Sequence, residues 1–394
     1  MSGEPLANPV KVAYVLPGAD VGGTERHVLS LSSRIDRRMF DPMLVCTSSG
    51  GALEGSFADA GVPVHIMGYE GITKKPALVL PRLLHAWGMI RRFEGLLRRE
   101  RVAILHAFLP EACVLGALAG RLARTRTIVV SKRAMCYYKA EHPWYAFLEN
   151  LANMAADAIT VNSIAVREDV RKTELFTGGK IRLVYNGIDP SPEPPQERPD
   201  PAPPGIDAPP GVPLVTYVAN LRDGKGHLCL VDAARDVLAE CPGVLFLLVG
   251  REDREAGEVR RRIREAGLEG KILLAGHRPD VRAILRATTV VAHPGEQEGF
   301  SNAILEAMSF GLPIVAAKAG GNPEALDNGE AGILFPAGDA AALARGIVGL
   351  LRDPARARRM GDAARHRVQE RFTTTGMVSE VQHLYEDLLA GRFR

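Results

Sequence analysis

The strongest constraint on the fold of this chain is a pattern that runs through it twice. A short, uninterrupted apolar run is followed by a loop marked with glycine or proline, and then by a helical stretch. Residues 10–16, 43–46, 62–66, 104–106, 127–131 and 158–162 read as strands. After a gap the pattern restarts with strands at 214–219, 245–249, 272–275, 290–292 and 314–316. Runs of Val, Ile and Leu without polar alternation fit parallel strands covered on both faces. Helices fill the intervals, among them 24–31, 78–101, 228–240 and 253–266, and that alternation marks a doubly wound α/β architecture. The gap, residues 190–213, is rich in proline and acidic residues and reads as an extended linker with little to bury. The predicted fold class is therefore α/β, with two doubly wound Rossmann-like domains facing across a cleft, 1–189 and 214–374, joined by that linker. A length of 394 residues suits two or three domains at ~150 residues each. Ligands of such sheets bind at the carboxyl ends of the strands, so the cleft is the expected site.

Composition removes several classes of function. Hydrophobic residues make up 46% and charged residues 24%, ordinary values for a chain with a large core. A net charge of +3, with no aromatic-rich basic stretch, gives no footprint for nucleic acid. Residues 1–9 lack the pattern of a signal peptide, and no apolar run reaches the ~20 residues that span a bilayer. Five cysteines (Cys46, Cys113, Cys136, Cys229 and Cys241) are widely spaced without a C-x-x-C pair, which fits reduced thiols and a cytoplasmic location. The loop 18–23 has the wrong glycine spacing for the dinucleotide fingerprint, so NAD is not expected.

The chemistry-bearing segment is Glu298-Gly299-Phe300-Ser301-Asn302-Ala303-Ile304-Leu305-Glu306. It follows the strand 290–292 and the loop His293-Pro294-Gly295. Ser301 or Asn302 can cap the helix that starts there, and the free N–H groups of its first turn would suit a diphosphate. Glu306 would then reach ribose hydroxyls, which a carboxylate accepts well, and Glu298 would lie near a transferred sugar. The same residues also fit a plain strand–loop–helix with solvated glutamates.

The two glutamates resemble the E-x7-E motif of retaining GT-B glycosyltransferases of the family 4 group. Other segments resemble that family in the same order along the chain. Gly22-Gly23-Thr24-Glu25 is similar to its glycine-rich first loop, and Asn186-Gly187-Ile188-Asp189 to its N-G-[IV]-D signature. Gly311-Leu312-Pro313-Ile314-Val315-Ala316 is similar to its G-x-P-V-V-A stretch, and Gly320-Gly321-Asn322-Pro323-Glu324 to its G-G-x-P-E turn. The glycines of that last turn suit either a close approach to a ligand or an ordinary turn. Lys225-Gly226 resembles the family's K-G element, whose lysine holds the donor phosphates. Where the family usually has an arginine five residues earlier, this chain has Asn220, and Arg222 is the candidate for the displaced cation.

The resemblance implies a retaining transfer of a sugar from a nucleotide-diphosphate sugar, UDP- or GDP-linked, to a glycan, lipid-linked or small-molecule acceptor. It implies donor contacts from Gly22, Gly23, Arg222, Lys225, Glu298, Gly299, Phe300, Ser301, Asn302 and Glu306, with Lys225 and Glu298 also catalytic. His106, read as ending its strand at a carboxyl edge, is the candidate for the family's histidine near the reacting sugar, or else a structural residue. Arg133, Tyr138 and Trp144, the last two within an aromatic cluster with Tyr137 and Tyr145, are acceptor candidates. No cofactor is expected, and the absence of a D-x-D pair points to metal-independent chemistry. The last helix, about 375–394, is expected to pack back on the first domain. A nucleotide-sugar epimerase of the same fold and a non-catalytic binder are the alternatives. The helix 78–101 places Leu80, Leu83, Leu84, Trp87, Ile90 and Leu97 on one face and carries six arginines. It suits peripheral contact with the inner face of a membrane, or ordinary packing on the sheet with a charged outer face.

Overall fold

The computed structural model describes residues 9–69, 79–136, 143–191 and 200–392, with 79–84 and 143 described by backbone alone. The chain divides into two compact units. One holds the described residues up to Gly187 together with those from Thr374 onward; the other is Ile188–Thr373. Where the chain passes between them, Ile188 and Thr373 pair in a short parallel bridge.

The first unit is a seven-stranded sheet of β1 (Val10–Leu16), β2 (Phe40–Cys46), β3 (Val64–Ile66), β4 (Ile104–Phe108), β5 (Thr127–Lys132), β6 (Ala158–Val161) and β7 (Ile181–Leu183). The order is β3-β2-β1-β4-β5-β6-β7, and every pairing is parallel. The sheet reverses its winding between β1 and β4, which is where such a sheet opens a crevice for a ligand. One face is covered by the helices Val79–Arg99, Pro110–Ala123 and Pro143–Ala155, which contribute Phe93, Leu97, Cys113, Leu115 and Ala152 to a shared core. The other face packs Val28 and Leu31 of the helix Gly23–Arg34 beside Met377, Val381 and Tyr385 of the last helix, Thr374–Leu389.

The second unit repeats the plan with β8 (Leu214–Val218), β9 (Leu245–Val249), β10 (Ile272–Gly276), β11 (Val290–His293), β12 (Ile314–Ala317) and β13 (Ile333–Phe335). Its order is β10-β9-β8-β11-β12-β13, again all parallel, and it reverses between β8 and β11. The helices His227–Glu240 and Ala340–Arg352 cover one face, burying Leu230, Val237, Leu343 and Ile347.

Three differences from the sequence reading have physical causes. β4 continues through Ala107 and Phe108, so His106 lies inside the strand and not at its end. β7 and β13 are three-residue edge strands, too short to carry a periodicity signal. Residues 190–213 do not behave as an extended linker in their described part. Ile206 is buried with Leu247, Val249 and Ile284, and Ala202, Ala208 and Val212 pack nearby. Asp200 pairs with Arg286 at 2.6 Å, and Arg278 donates to the Pro204 carbonyl at 2.9 Å. Proline suits such a segment because it lacks the N–H that burial would leave unpaired. Residues 192–199 lie outside the described residues.

Candidate functional site

In the second unit the crevice between β8 and β11 is flanked by two loops, 219–226 and 294–301. They are knitted together by backbone hydrogen bonds. Gly224 O accepts from Glu296 N at 3.0 Å and from Gln297 N at 3.1 Å. Gly226 has a left-handed φ of 70°, and a Cβ there would come 2.4 Å from the Pro294 carbonyl oxygen, so only glycine permits the approach. The buried Tyr217 near the end of β8 donates its hydroxyl to the Lys225 carbonyl at 2.6 Å, fixing the lysine's backbone from below.

This scaffold brings together two side chains that are 73 residues apart. Lys225 Nζ donates to Glu298 Oε1 at 2.6 Å, and His293 Nε2 lies 3.3 Å from the same oxygen. Both partners are largely buried. Burial alone would raise the Glu298 carboxyl, but the His293 contact and the Lys225 charge outweigh it and draw the group down to about 2. Glu298 is therefore a carboxylate at any physiological pH. Tyr217 packs its ring edge against His293, 5.4 Å between centroids, and leans on His227 at 4.9 Å. Burial keeps His227 neutral, with its pKa lowered to about 4.

The helix Asn302–Ser309 begins directly after this pair. Ser301 is its N-cap and accepts from Ile304 N at 3.4 Å. Asn302 is partly exposed, as is Glu306 one turn on. Gly299 O accepts from Gly321 N at 3.0 Å. Phe300 follows on the same loop. Its ring is buried edge-on against Phe372, 5.2 Å between centroids, so it anchors the loop. In the glycine turn 320–321, Gly320 lies against protein backbone. Gly320 sits at a φ of 49°, and a Cβ there would fall 1.7 Å from the Glu298 carbonyl oxygen. That turn clasps the backbone that carries Glu298.

Arg222 is exposed on the same loop as Lys225. Asn220, standing where an arginine was expected, accepts from Arg251 N at 3.0 Å and so ties this loop to the one after β9. Sequence reasoning missed two residues, His293 and Tyr217. Each lies at or near the carboxyl end of a strand at the switch point, but that signal needs the strand order to be known.

In the first unit, Gly22 caps the helix Gly23–Arg34 at the carboxyl end of β1, and Gly23 opens it. His106 is buried, with Nδ1 2.6 Å from the Tyr385 hydroxyl and Nε2 2.8 Å from Ser131 Oγ. Its ring stacks on Phe108 at 4.3 Å. Burial, followed by the charge of Arg133, lowers its pKa to about 3. A neutral ring with both nitrogens engaged orders the sheet and the last helix; it does not present a free base at a strand end. Arg133 follows β5 and donates to Asn186 Oδ1 at 2.7 Å; burial pulls its pKa down to about 9, which leaves it cationic at neutral pH. Trp144 is exposed and stacks on Tyr145 at 4.0 Å. Tyr137 and Tyr138 lie outside the described residues. Among the described residues no group of three or more metal-ligating side chains occurs, and no helix is long and apolar enough to cross a membrane. Cys46 and Cys113 are buried, and the other three cysteines are partly so.

Two all-parallel doubly wound units in one chain, the second with a lysine–glutamate pair at its switch point, define the GT-B class of fold. Residues 21–192 match the model of glycosyltransferase family 4, and residues 212–353 match that of glycosyl transferases group 1. The chain belongs to this family of glycosyltransferases. It is 30% identical to alpha-maltose-1-phosphate synthase of Mycolicibacterium smegmatis over 62% of this chain and 67% of that protein. It is 23% identical to UDP-Gal:alpha-D-GlcNAc-diphosphoundecaprenol alpha-1,3-galactosyltransferase of Escherichia coli, covering 97% and 98% of the two chains. With N-acetyl-alpha-D-glucosaminyl L-malate synthase of Bacillus anthracis the identity is 30%, but the match spans 45% of this chain and about half of the relative, 46%. Among solved structures, Anabaena HepE in complex with UDP and glucose shares the fold with a TM-score of 0.77, 22% identity, and coverage of 96% and 99%.

Proposed function

We propose that this protein transfers a sugar, with retention of anomeric configuration, from a UDP- or GDP-linked donor to an acceptor that is a glycan, a lipid-linked sugar or a small molecule. The Lys225–Glu298–His293 contact at the switch point of the second sheet is the observation that carries the reading. A buried ammonium held by a buried carboxylate is a site ready for exchange. A donor diphosphate gives Lys225 a second anionic partner, and Glu298, already ionised, is then available to accept hydroxyls of the transferred sugar. Glu306 accepts the ribose hydroxyls. The capped helix start at Gly299, Ser301 and Asn302 offers N–H groups to the phosphates, and exposed Arg222 supplies a second cation.

In the transfer, the acceptor hydroxyl oxygen bonds to the anomeric carbon as that carbon's bond to the β-phosphate oxygen breaks. The hydroxyl proton leaves on the departing phosphate. Lys225 and Arg222 neutralise the charge that grows there, which makes a divalent metal unnecessary. In the first unit, Gly22 and Gly23 are proposed donor contacts, His106 orders the sheet and the last helix, and Arg133, Tyr138 and Trp144 are proposed acceptor residues. Relatives named for a phosphate, a malate and a diphosphoundecaprenol support an acceptor that carries an anionic group, which Arg133 suits. A lipid-linked acceptor would bring the chain to a membrane surface as a peripheral protein.

The test is a thermal-shift screen of nucleotide sugars, followed by product analysis with the stabilising donor in EDTA. A donor at about 100 times its dissociation constant adds ~2.7 kcal/mol and a visible shift. Absence of stabilisation by any nucleotide sugar, or activity that EDTA abolishes and magnesium or manganese restores, would overturn the corresponding part of the reading.

A further inference from the structure

The helix Pro143–Ala155 carries an apolar stripe on the wrong side. Trp144, Phe147, Leu151 and Met154 follow each other at intervals of three, four and three residues and so share one face. The core-facing side is a different one, built from Glu149, Ala152, Asn153 and Ala155. Trp144, Phe147 and Met154 are exposed at 41%, 65% and 54%.

The loop after the helix Ile164–Thr173 extends this stripe. Leu175 and Phe176 are exposed at 63% and 54%. They are held against the helix by two of its asparagines: Leu175 N donates to Asn150 Oδ1 at 2.8 Å, and Asn153 Nδ2 donates to the Leu175 carbonyl at 3.2 Å. Phe176 adopts a left-handed φ of 59°, which disfavours a bulky side chain. Below the loop, Glu174 and Glu149 are buried on Lys132, at 3.1 and 2.9 Å. Polar side chains, an ion-pair network and a strained backbone thus all hold apolar groups outward, at a net cost unless something covers them.

The charge around the stripe indicates what covers it. The helix has no acidic residue besides buried Glu149. Arg171 and Lys172 are exposed at the end of the preceding helix, Lys180 and Arg182 after the loop are partly buried on backbone carbonyls, and Glu174, the one acid within 171–182, is buried. The helices Val79–Arg99, Pro110–Ala123 and Pro143–Ala155 line the same face of the first sheet. The first of them exposes Trp87 and four arginines, of which Arg91 and Arg98 pair with the buried Glu94 and Arg92 donates to the Met67 carbonyl, which leaves Arg99 the more open charge on that helix. Protruding aromatic and aliphatic side chains with exposed Arg171 and Lys172 next to them match the interface of an anionic bilayer, where rings sit at headgroup depth and Lys and Arg meet lipid phosphates.

We propose that the stripe Trp144–Phe147–Leu151–Met154 with Leu175 and Phe176 is a docking surface for an anionic lipid bilayer. The proposed function supplies only the reason to visit a membrane. The test uses neither donor nor acceptor, so failure of the one leaves the other standing.

The chain has two tryptophans, Trp87 and Trp144, which makes the test site-resolved. W87F leaves Trp144 as reporter and W144F leaves Trp87. Each is mixed with phosphatidylcholine vesicles, with or without phosphatidylglycerol, carrying brominated acyl chains. The expected result is quenching and a blue shift of Trp144 with the phosphatidylglycerol vesicles. In flotation, F147S/L175S/F176S should lose at least tenfold in vesicle affinity while keeping its unfolding midpoint. Three results each overturn the proposal: no flotation of the wild-type chain, quenching confined to Trp87, or a dimer that the triple substitution dissolves in a chain that binds no vesicles.

Discussion

Replacing Lys225 with alanine would strip a buried carboxylate of its ammonium. The cost can be worked from the geometry. Lys225 Nζ lies 2.6 Å from Glu298 Oε1, and the surroundings draw that carboxyl from 4.5 to about 2. A displacement of that size is worth about 3 kcal/mol of folded-state stability at neutral pH, shared between Lys225 and His293. The carboxyl is depressed in the folded chain, so the stabilisation is complete above pH ~4.5 and fades as pH falls towards ~2. Breaking a buried pair by removing one partner costs about 3–5 kcal/mol, because the other charge is left behind. Lys225→Ala should therefore destabilise the second unit more than Glu298→Gln, which leaves a neutral amide. The double substitution should recover part of the loss. Denaturant unfolding of the four proteins gives the coupling energy, expected to exceed about 1 kcal/mol. The same series between pH 7 and 3 should show the wild-type advantage over Glu298→Gln shrinking only at the acid end. Additivity within about 0.5 kcal/mol, or an advantage independent of pH across that range, would refute the account of the site as a coupled buried pair.

Two further outcomes are expected. Glu306→Ala should weaken donor binding by about 1.5–3 kcal/mol, the worth of a hydrogen bond to a charged group, and calorimetry with the nucleoside diphosphate should register it. Gly320→Ala places a Cβ 1.7 Å from the Glu298 carbonyl oxygen at a left-handed φ, so it should cost about 3 kcal/mol and weaken donor binding through displacement of Glu298. Wild-type stability in that variant would show that the turn does not clasp the loop.

Much of this protein was legible before folding was considered, for identifiable reasons. Parallel strands buried on both faces are largely apolar, so β9 and the bodies of β1 and β11 stand out as apolar runs, and β4 and β8 are each broken only by one central polar residue, His106 and Thr216. The segment Glu298–Glu306 announces itself because a cap and a helix start are local chemistry, and Ser301 does cap the helix. Tertiary structure decided the rest. Strand order placed β8 beside β11, and that pairing alone brought Lys225 to Glu298 across 73 residues and enlisted His293 and Tyr217. It closed the Gly320 turn onto the Glu298 carbonyl, where a Cβ would fall 1.7 Å from the oxygen, and it laid Ile206 of the proline-rich segment on the sheet. It drew His106 into a bond with Tyr385, 279 residues away. The helix Pro143–Ala155 shows the limit most sharply. Its apolar spacing is that of any core-facing stripe, because periodicity reports which residues share a face. Only packing reports which face looks inward, and here it is the one with Glu149 and Asn153.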